Sequence, residues 1–249
     1  QSTARESLYR LRGPDADRAV IAGIAKAEPK VKLELIRACG ERGTSSCTEM
    51  LLAAARDPDP DVRRESFRAL HQTAGRPHIT KLIDLMESTA DASERSEAGH
   101  ALASALRRAA KEGEAELIAR YASSSAATKK AALLEVMGQA GSEELLETVR
   151  AALKEGEPEV RRAAILAATV WSAPAPLPDL LEAARTDASP PHRILALRGV
   201  LRLLALPSRR STAETAGLLT QSMSLATQAD ERKAILALAQ RFPHAETLS

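Results

Sequence analysis

The sequence is poor in aromatic residues: Phe, Trp and Tyr make up 2% of its 249 residues. Aromatic and β-branched side chains are enriched in strands, so this scarcity argues against a large β-sheet. No apolar run reaches the roughly 18 residues that a transmembrane helix needs, so we expect no membrane span. The charges nearly balance, with 35 Lys and Arg against 33 Asp and Glu. This balance argues against a general nucleic-acid binder, which carries a clear basic excess.

The chain has only two cysteines, Cys39 and Cys47, which lie on either side of a predicted helical corner. Two thiols in a reducing compartment and a disulfide in an oxidising one both fit this spacing. Cysteines and histidines do not stand at zinc-ligand spacing, so we expect no metal site and no cofactor. Gly-rich phosphate loops, Gly-x-Ser-x-Gly elbows and His-Glu-x-x-His helices are missing. We therefore predict no catalytic site, although residues assembled from distant segments would escape a motif search.

One helical phrase returns seven times along the chain. Its anchor residues are Val31, Val62, Glu94, Thr128, Val160, His192 and Asp230, separated by steps of 31, 32, 34, 32, 32 and 38 residues. A basic residue follows every anchor but the last, at Lys32, Arg63, Arg95, Lys129, Arg161 and Arg193. A fixed period of this length predicts a solenoid of stacked units, each in contact only with its neighbours.

Each unit is predicted to be two antiparallel helices joined by a corner. At the clearest corner, Asp59 can cap the second helix, Pro60 suits its first position and Gly75 can end it in the left-handed conformation. Apolar residues recur at the anchor and at four, seven, eight and eleven residues beyond it, which forms one narrow arc of a helix. We expect this arc to be buried, together with the only tryptophan, Trp171.

The predicted fold class is all-α, a right-handed α-solenoid of about seven antiparallel helix pairs. It forms a single domain over residues 1–249. The pattern stops within a repeat at each end, so we expect a fragment of a longer protein with a truncated repeat at either end. We also expect a monomer.

Two stretches, residues 57–64 and 157–164, carry this pattern most clearly and resemble HEAT repeats of the short bacterial type. Residues 197–203, 229–236 and 241–246 resemble HEAT segments of large exported multidomain bacterial proteins. There the segments adjoin sugar-active or sugar-binding domains. The resemblance implies an armadillo-like scaffold without catalysis in an exported protein, periplasmic or extracellular, with a cytoplasmic location as the alternative. The resemblance also implies a Cys39–Cys47 disulfide, with two free thiols as the alternative.

Two rows of residues are candidates for function. In HEAT families the basic residue after the anchor is structural, and it bonds acidic corner residues and neighbouring carbonyls. The resemblance therefore implies a ladder formed by Lys32, Arg63, Arg95, Lys129, Arg161 and Arg193; a column that contacts successive phosphates is the alternative. Opposite the buried arc, we predict a concave binding face formed by Arg37, Arg64, Arg68, His71, His100, Lys130, Arg162 and Arg198. The same row contains Leu134, Leu166 and Leu236, and we expect it to be basic toward both ends and more apolar in the middle.

The predicted function is a non-catalytic protein-binding or scaffolding module, or a spacer. Its partner would be a protein, a peptide or adjoining domains of the same chain. The alternatives are a HEAT-like nucleic-acid-binding protein or enzyme, similar to DNA glycosylases, and a module similar to tetrapyrrole lyases. An ordinary solvated face, on which long side chains cover alanines, would also explain the concave row.

Overall fold

The computed structural model describes residues 8–10, 13–109 and 111–242. Regular structure in these ranges is helical and includes no β-strand, which confirms the all-α prediction. The α-helices are α1 (Pro14–Lys26), α2 (Pro29–Arg42), α3 (Thr48–Ala54), α4 (Pro60–Thr73), α5 (Ile79–Ser88), α6 (Ala92–Ala109), α7 (Lys111–Ser123), α8 (Ala127–Ala140), α9 (Glu143–Ala152), α10 (Pro158–Thr169), α11 (Leu177–Thr186), α12 (Pro190–Leu204), α13 (Thr212–Leu225) and α14 (Ala229–Ala239). Short 3-10 turns, Ser45–Cys47 and Arg76–His78, precede α3 and α5.

The chain divides into two compact units, Gln1–Ser123 (unit 1) and Ser124–Ser249 (unit 2). In unit 1, α1 pairs with α2, α3 with α4 and α5 with α6, and α7 packs beside α5 and α6. In unit 2, α9 pairs with α10, α11 with α12 and α13 with α14, and α8 packs against α9 and α10. Each unit thus has the stacked helix pairs of a solenoid. The single domain over residues 1–249 stays a prediction.

The second helices of neighbouring pairs lie directly against each other in each unit, whereas the first helices touch each other sparsely. Glycines permit this close approach. A Cβ atom added at Gly40 in α2 would lie 3.1 Å from the Cα atom of Ala69 in α4. One added at Gly138 in α8 would lie 2.6 Å from the Cα atom of Ala167 in α10. Because the helices converge on one side, the second helices line the inner side of each unit.

The corners between paired helices have the predicted chemistry. The Asp59 side chain accepts a hydrogen bond of 2.9 Å from the backbone N–H of Asp61, and Pro60 occupies the first turn of α4. Proline also opens α1, α2, α10 and α12. Its fixed φ suits the first helical position, where the missing N–H has no helical partner to lose. The cap at Asp59 is therefore confirmed.

The prediction of a left-handed glycine at Gly75 is wrong. Its φ is −144°, which is extended backbone, and its N–H donates to the His78 ring at 3.2 Å within the 3-10 turn. The left-handed conformation occurs instead at Gly43 (φ 61°) and Gly141 (φ 72°), the caps of α2 and α8. Glycine adopts it without the steric cost of a Cβ atom.

The buried arc confirms the helical period, but its register is wrong by one residue in the fourth repeat. Val62 and Val160 are buried anchors, each 1% exposed. Thr128 is exposed instead. The buried residues of α8 match those of α4 and α10 when the anchor moves to Lys129, although Lys129 itself is exposed. The basic residue after the anchor in this repeat is then Lys130.

The last repeat needs the same correction. Asp230 is exposed, whereas Glu231 is 3% exposed and its carboxylate accepts hydrogen bonds from the backbone N–H groups of Thr227 and Gln228. The acidic pair offered no apolar residue to fix the register. With the anchor at Glu231, the following residue is Arg232, so the basic position persists here too.

The first anchor, Val31, is 55% exposed, so its predicted burial is wrong as well. Trp171 is 2% exposed, which confirms its place in the core. Otherwise the core is mainly Leu and Ala, as the scarcity of aromatic residues indicated.

Candidate functional site

Five arginines bind the corners of their own repeats in one repeated geometry. Each follows the anchor of a second helix and donates to a backbone carbonyl six residues earlier. The pairs are Arg63 with Asp57, Arg95 with Thr89, Arg161 with Glu155, Arg193 with Asp187 and Arg232 with Ala226, at 2.9, 3.0, 2.9, 3.1 and 3.3 Å. These carbonyls follow the ends of first helices, where backbone acceptors lack helical partners.

Two of these arginines also join their corner to the next repeat. The Nε atom of Arg63 lies 2.9 and 3.0 Å from the two carboxylate oxygens of Glu94, and this bond is the main reason that the pKa of Arg63 is raised. The Nε atom of Arg161 lies 3.0 Å from a carboxylate oxygen of Asp187. A planar guanidinium that contacts both a carbonyl and a carboxylate fixes the position of one repeat against the next.

Lysines make the equivalent link in two other repeats. Lys32 donates to Asp57 at 2.9 Å, and Lys130 donates to Glu155 at 3.0 Å, both across 25 residues. Burial alone would raise the pKa of Asp57, but the bonds from Lys32 and from the backbone N–H of Asp59 lower it. In the fourth repeat the structure therefore places Lys130 in the ladder geometry, at the position that the sequence assigned to Lys129. Lys130 does not join the face opposite the buried arc.

On the inner side of unit 1, the predicted binding arginines lie beside carboxylates. The pairs are Arg37 with Glu34 (2.9 Å) and Glu65 (3.1 Å), Arg68 with Glu65 (3.7 Å) and Arg64 with Asp61 (2.9 Å). Glu65 thus links the arginines of two neighbouring second helices. The acidic residues offset the positive charge of this surface, so it is not an open basic groove.

One of the two predicted histidines of unit 1, His71, lies beside a buried serine. Ring nitrogen Nε2 of His71 is 3.1 Å from the Ser104 hydroxyl, to which Arg107 also donates at 2.8 Å. The pKa of His71 is lowered, first by burial and then by Arg107, Arg108 and His100. Ser104 is only 2% exposed, so this contact holds α4 to α6 and presents no nucleophile to solvent.

In unit 2, four residues of two adjacent second helices form what we call the unit 2 face: Arg162 and Leu166 in α10, and Ile194 and Arg198 in α12. The two arginines are exposed, and the two apolar side chains are half-buried. In each helix the members are four residues apart, so they share one helical face. In α10 the arginine precedes the apolar residue, and in α12 it follows the apolar residue. Cationic and apolar groups therefore alternate across the two helices.

Two arginines that the sequence did not single out cap the second helices of the preceding repeat. Arg108 donates to the carbonyls of His71 and Ala74, both at 2.9 Å, at the end of α4. Arg202 donates to the carbonyls of Thr169 (2.6 Å) and Trp171 (3.0 Å) at the end of α10. A cation at a helix C-terminus is favoured by the helix dipole and by the unpaired carbonyls there. The only signal for these two caps in the sequence is that each arginine lies about one repeat period after the helix end that it binds.

Two open cavities flank the corners of unit 2. One, of about 410 Å³, is lined by Arg150, Arg161, Asp179, Asp187 and uncharged neighbours as well as Lys154 and Glu182. The other, of about 360 Å³, is lined by residues that include Arg210, Arg241 and Phe242. In the first cavity Arg150 bonds Asp179 at 3.0 Å, so opposite charges already pair along its wall.

Cys39 and Cys47 lie together at the corner between α2 and α3. Both are free thiols, and the Cys39 Sγ atom is 2.7 Å from the Cys47 Sγ atom. Among the described residues, no three His, Cys, Asp or Glu side chains are grouped to hold a metal ion.

A family model of HEAT repeats matches residues 18–103 and 114–200, which together are most of the chain. The chain belongs to the HEAT-repeat family. None of the helices in its described part is long and apolar enough to cross a bilayer. No curated protein matches it.

The solved structures that are similar to this HEAT chain include the following two. One is the complex of CpcE and CpcF of phycocyanin lyase from Nostoc sp. PCC7120, with 17% identity over 94% of this chain and 96% of that one, and a TM-score of 0.44. The other is human deoxyhypusine hydroxylase in complex with glycerol, with 16% identity over 96% of this chain and 88% of that one, and a TM-score of 0.40.

Proposed function

We propose that this HEAT chain is a non-catalytic protein-binding or scaffolding module whose unit 2 face binds an acidic, amphipathic segment of a partner protein. The observation that carries the proposal is the pairing of two exposed guanidinium groups with two half-buried apolar side chains on adjacent second helices. Amphipathic helices bind such surfaces through residues one helical turn apart.

The arginines of the unit 2 face differ from those of unit 1 in their neighbours. Arg37 and Arg68 lie beside Glu65, so an acidic ligand would have to displace that carboxylate. Arg162 and Arg198 are exposed and can present their planar donors to a carboxylate in two parallel hydrogen bonds. Burying Leu166 and Ile194 at the same time would remove apolar area from water.

The contacts behind the face favour binding because they restrain it before a partner arrives. Arg161, which precedes Arg162 in the sequence, bonds the carbonyl of Glu155 at 2.9 Å and approaches Asp187 at 3.0 Å. Arg202 of α12 also donates to carbonyls at the end of α10, which joins the two helices of the face. A surface that is already ordered loses less conformational entropy on association.

The test uses a fluorescein-labelled helical peptide in which Glu and Leu alternate at four-residue spacing. Fluorescence anisotropy should show binding that weakens with added salt, because exposed charges are screened. The double variant Arg162→Glu/Arg198→Glu should bind the peptide at least about tenfold more weakly. The matched control is Arg185→Glu, an exposed arginine on α11 in the same unit that pairs with Glu182.

A Lys/Leu peptide of the same pattern and a DNA duplex complete the experiment. Neither should compete with the Glu/Leu peptide. Equal binding by the double variant and the control, with circular dichroism unchanged in both, would refute the unit 2 face. Binding of the duplex that depends on Arg162 and Arg198 would favour the nucleic-acid alternative, and no binding of any probe would favour a spacer.

A further inference from the structure

The buried sulfur pair lies where three elements of unit 1 meet. Cys39 is in the last turns of α2 and is fully buried, and Cys47 ends the 3-10 turn that leads into α3 and is 1% exposed. Their Sγ atoms are 2.7 Å apart, in direct contact. The chain between them closes a loop at the corner, so a bond between the sulfurs would need no distant part of the protein to move.

An ion pair lies close to the two sulfurs. Arg42 of α2 bonds Asp17 of α1, and the Arg42 side chain is only 3% exposed. The Ser46 hydroxyl lies 3.4 Å from the other carboxylate oxygen of Asp17. The Ser46 contact thus holds the turn that carries Cys47 to α1, and the Arg42–Asp17 pair joins α1 to α2 at the same place. Ser45 and Ser46 in this turn are exposed. Cys47 therefore directly follows solvent-exposed residues in the sequence, whereas Cys39 does not.

We propose that Cys39 and Cys47 form an intrachain disulfide by exchange with a small-molecule disulfide, and that Cys47 is the sulfur that attacks first. The proposal is independent of the unit 2 face, since all of its residues lie in unit 1.

The environment divides the roles between the two sulfurs. Cys39 donates a hydrogen bond to the Cys47 sulfur, and this bond lowers the pKa of Cys47, against the effect of burial. The same bond, together with burial, raises the pKa of Cys39 far above its usual range. A thiolate, and not a thiol, attacks a disulfide. Cys47 therefore starts the reaction, and Cys39 loses its proton only when its sulfur attacks in turn.

The exchange balances in two steps. The Cys47 thiolate attacks one sulfur of oxidised glutathione, forming a mixed disulfide and releasing one glutathione thiolate. Cys39 then attacks the Cys47 sulfur, its proton passes to solvent or to the leaving group, and the second glutathione departs. Two protein thiols are oxidised and one small disulfide is reduced to two thiols. Because both sulfurs are buried, the first step requires the turn over residues 45–47 to open briefly.

Intact mass of the folded, reduced chain in oxidised glutathione tests the proposal. The protein with both cysteines should lose the mass of two hydrogen atoms. Its melting temperature should rise by about 5–10 °C, and dithiothreitol should reverse this rise. The variant Cys39→Ala should stop with one glutathione attached, and it should react more slowly than the protein with both cysteines because it lacks the hydrogen bond that lowers the pKa of Cys47. The variant Cys47→Ala should stay unmodified over the same time. Alanine suits both sites because a buried free cysteine behaves as a small apolar residue.

Two results would overturn the proposal. The first is that the protein with both cysteines keeps two titratable thiols, or binds two glutathiones, while its circular dichroism is native. The second is attachment of glutathione to Cys47→Ala as fast as to Cys39→Ala, which would remove the role of Cys47 as first attacker. If either variant does not fold, peptide mapping of the mixed disulfide trapped early in the unmodified protein identifies the first sulfur.

Discussion

Arg63 holds Glu94 through both carboxylate oxygens while the same guanidinium bonds the carbonyls of Asp57 and Pro58. One side chain thus connects the corner of its own repeat to the second helix of the next repeat. The backbone acceptors at this corner have no helical partner, so the arginine satisfies groups that would otherwise depend on water.

We predict that Arg63→Ala lowers the melting temperature of the protein, because it removes these bonds and leaves Glu94 without its cation. The adjacent Arg64→Ala should change it little, since Arg64 makes an exposed contact with Asp61 at 2.9 Å and such pairs contribute little. Thermal denaturation followed by circular dichroism measures both. Equal effects of the two substitutions would show that the corner geometry does not stabilise the fold.

The close approach of α8 and α10 predicts a second pair of variants. Gly138→Ala places a Cβ atom 2.6 Å from the Cα atom and 2.7 Å from the carbonyl oxygen of Ala167, so the helices must separate. We expect the free energy of unfolding to fall by about 1–3 kcal/mol. Gly217→Ala in α13 meets no atom within 4 Å and should raise it by about 0.5–1 kcal/mol. Urea denaturation compares them, and a stabilising Gly138→Ala would contradict the packing of these helices.

The corrected register of α8 predicts how leucine positions respond to a charge. The sequence placed Leu134 on the open face beside Leu166, but Leu134 is fully buried whereas Leu166 is half-buried. Leu134→Glu should therefore destabilise the protein by about 3 kcal/mol or more, because it buries a charge and removes packing. Leu166→Glu should cost much less. Soluble yield and urea midpoints measure both effects. A well-tolerated Leu134→Glu would support the register predicted from the sequence.

The lowered pKa of His71 predicts a pH dependence of stability. Burial comes first among its causes, followed by Arg107 and Arg108. Because the folded protein binds the proton less tightly than the unfolded chain, stability is highest above the unfolded-state pKa of about 6.5. It declines as the pH falls from there to the lower folded-state pKa. His71→Gln should remove this part of the decline, and melting temperatures of this variant and of the unsubstituted protein between pH 8 and pH 5 give the comparison. An unchanged pH profile in His71→Gln would contradict it.

The sequence predicted the elements of this fold well because their signals are local. The proline, the acidic cap and the apolar arc at Asp59, Pro60 and Val62 act within a few residues of each other, and the structure contains all three features. The predicted register of the fourth repeat was wrong because the residues at its anchor, Thr128, Lys129 and Lys130, include no apolar side chain that marks the position. There, only the packing of α8 against its neighbours fixes the position.

The candidate site was harder to predict because it depends on distances between repeats. Charge alone does not distinguish Arg37, which lies 3.1 Å from Glu65 in the next repeat, from the exposed Arg162. The cap that Arg108 forms on the end of α4 also joins residues one period apart. Such contacts follow from the stacking geometry, which a pattern of residues indicates only in outline.

Hydrogen–deuterium exchange of the protein with and without the Glu/Leu peptide tests the central functional claim most directly. We expect added protection in peptides from α10 and α12, and none in peptides from the first helices α9 and α11 on the other side of the same unit. The protection should disappear in Arg162→Glu/Arg198→Glu. Protection that falls mainly on α9 and α11, or that persists unchanged in this double variant, would contradict the assignment of the unit 2 face as the binding surface.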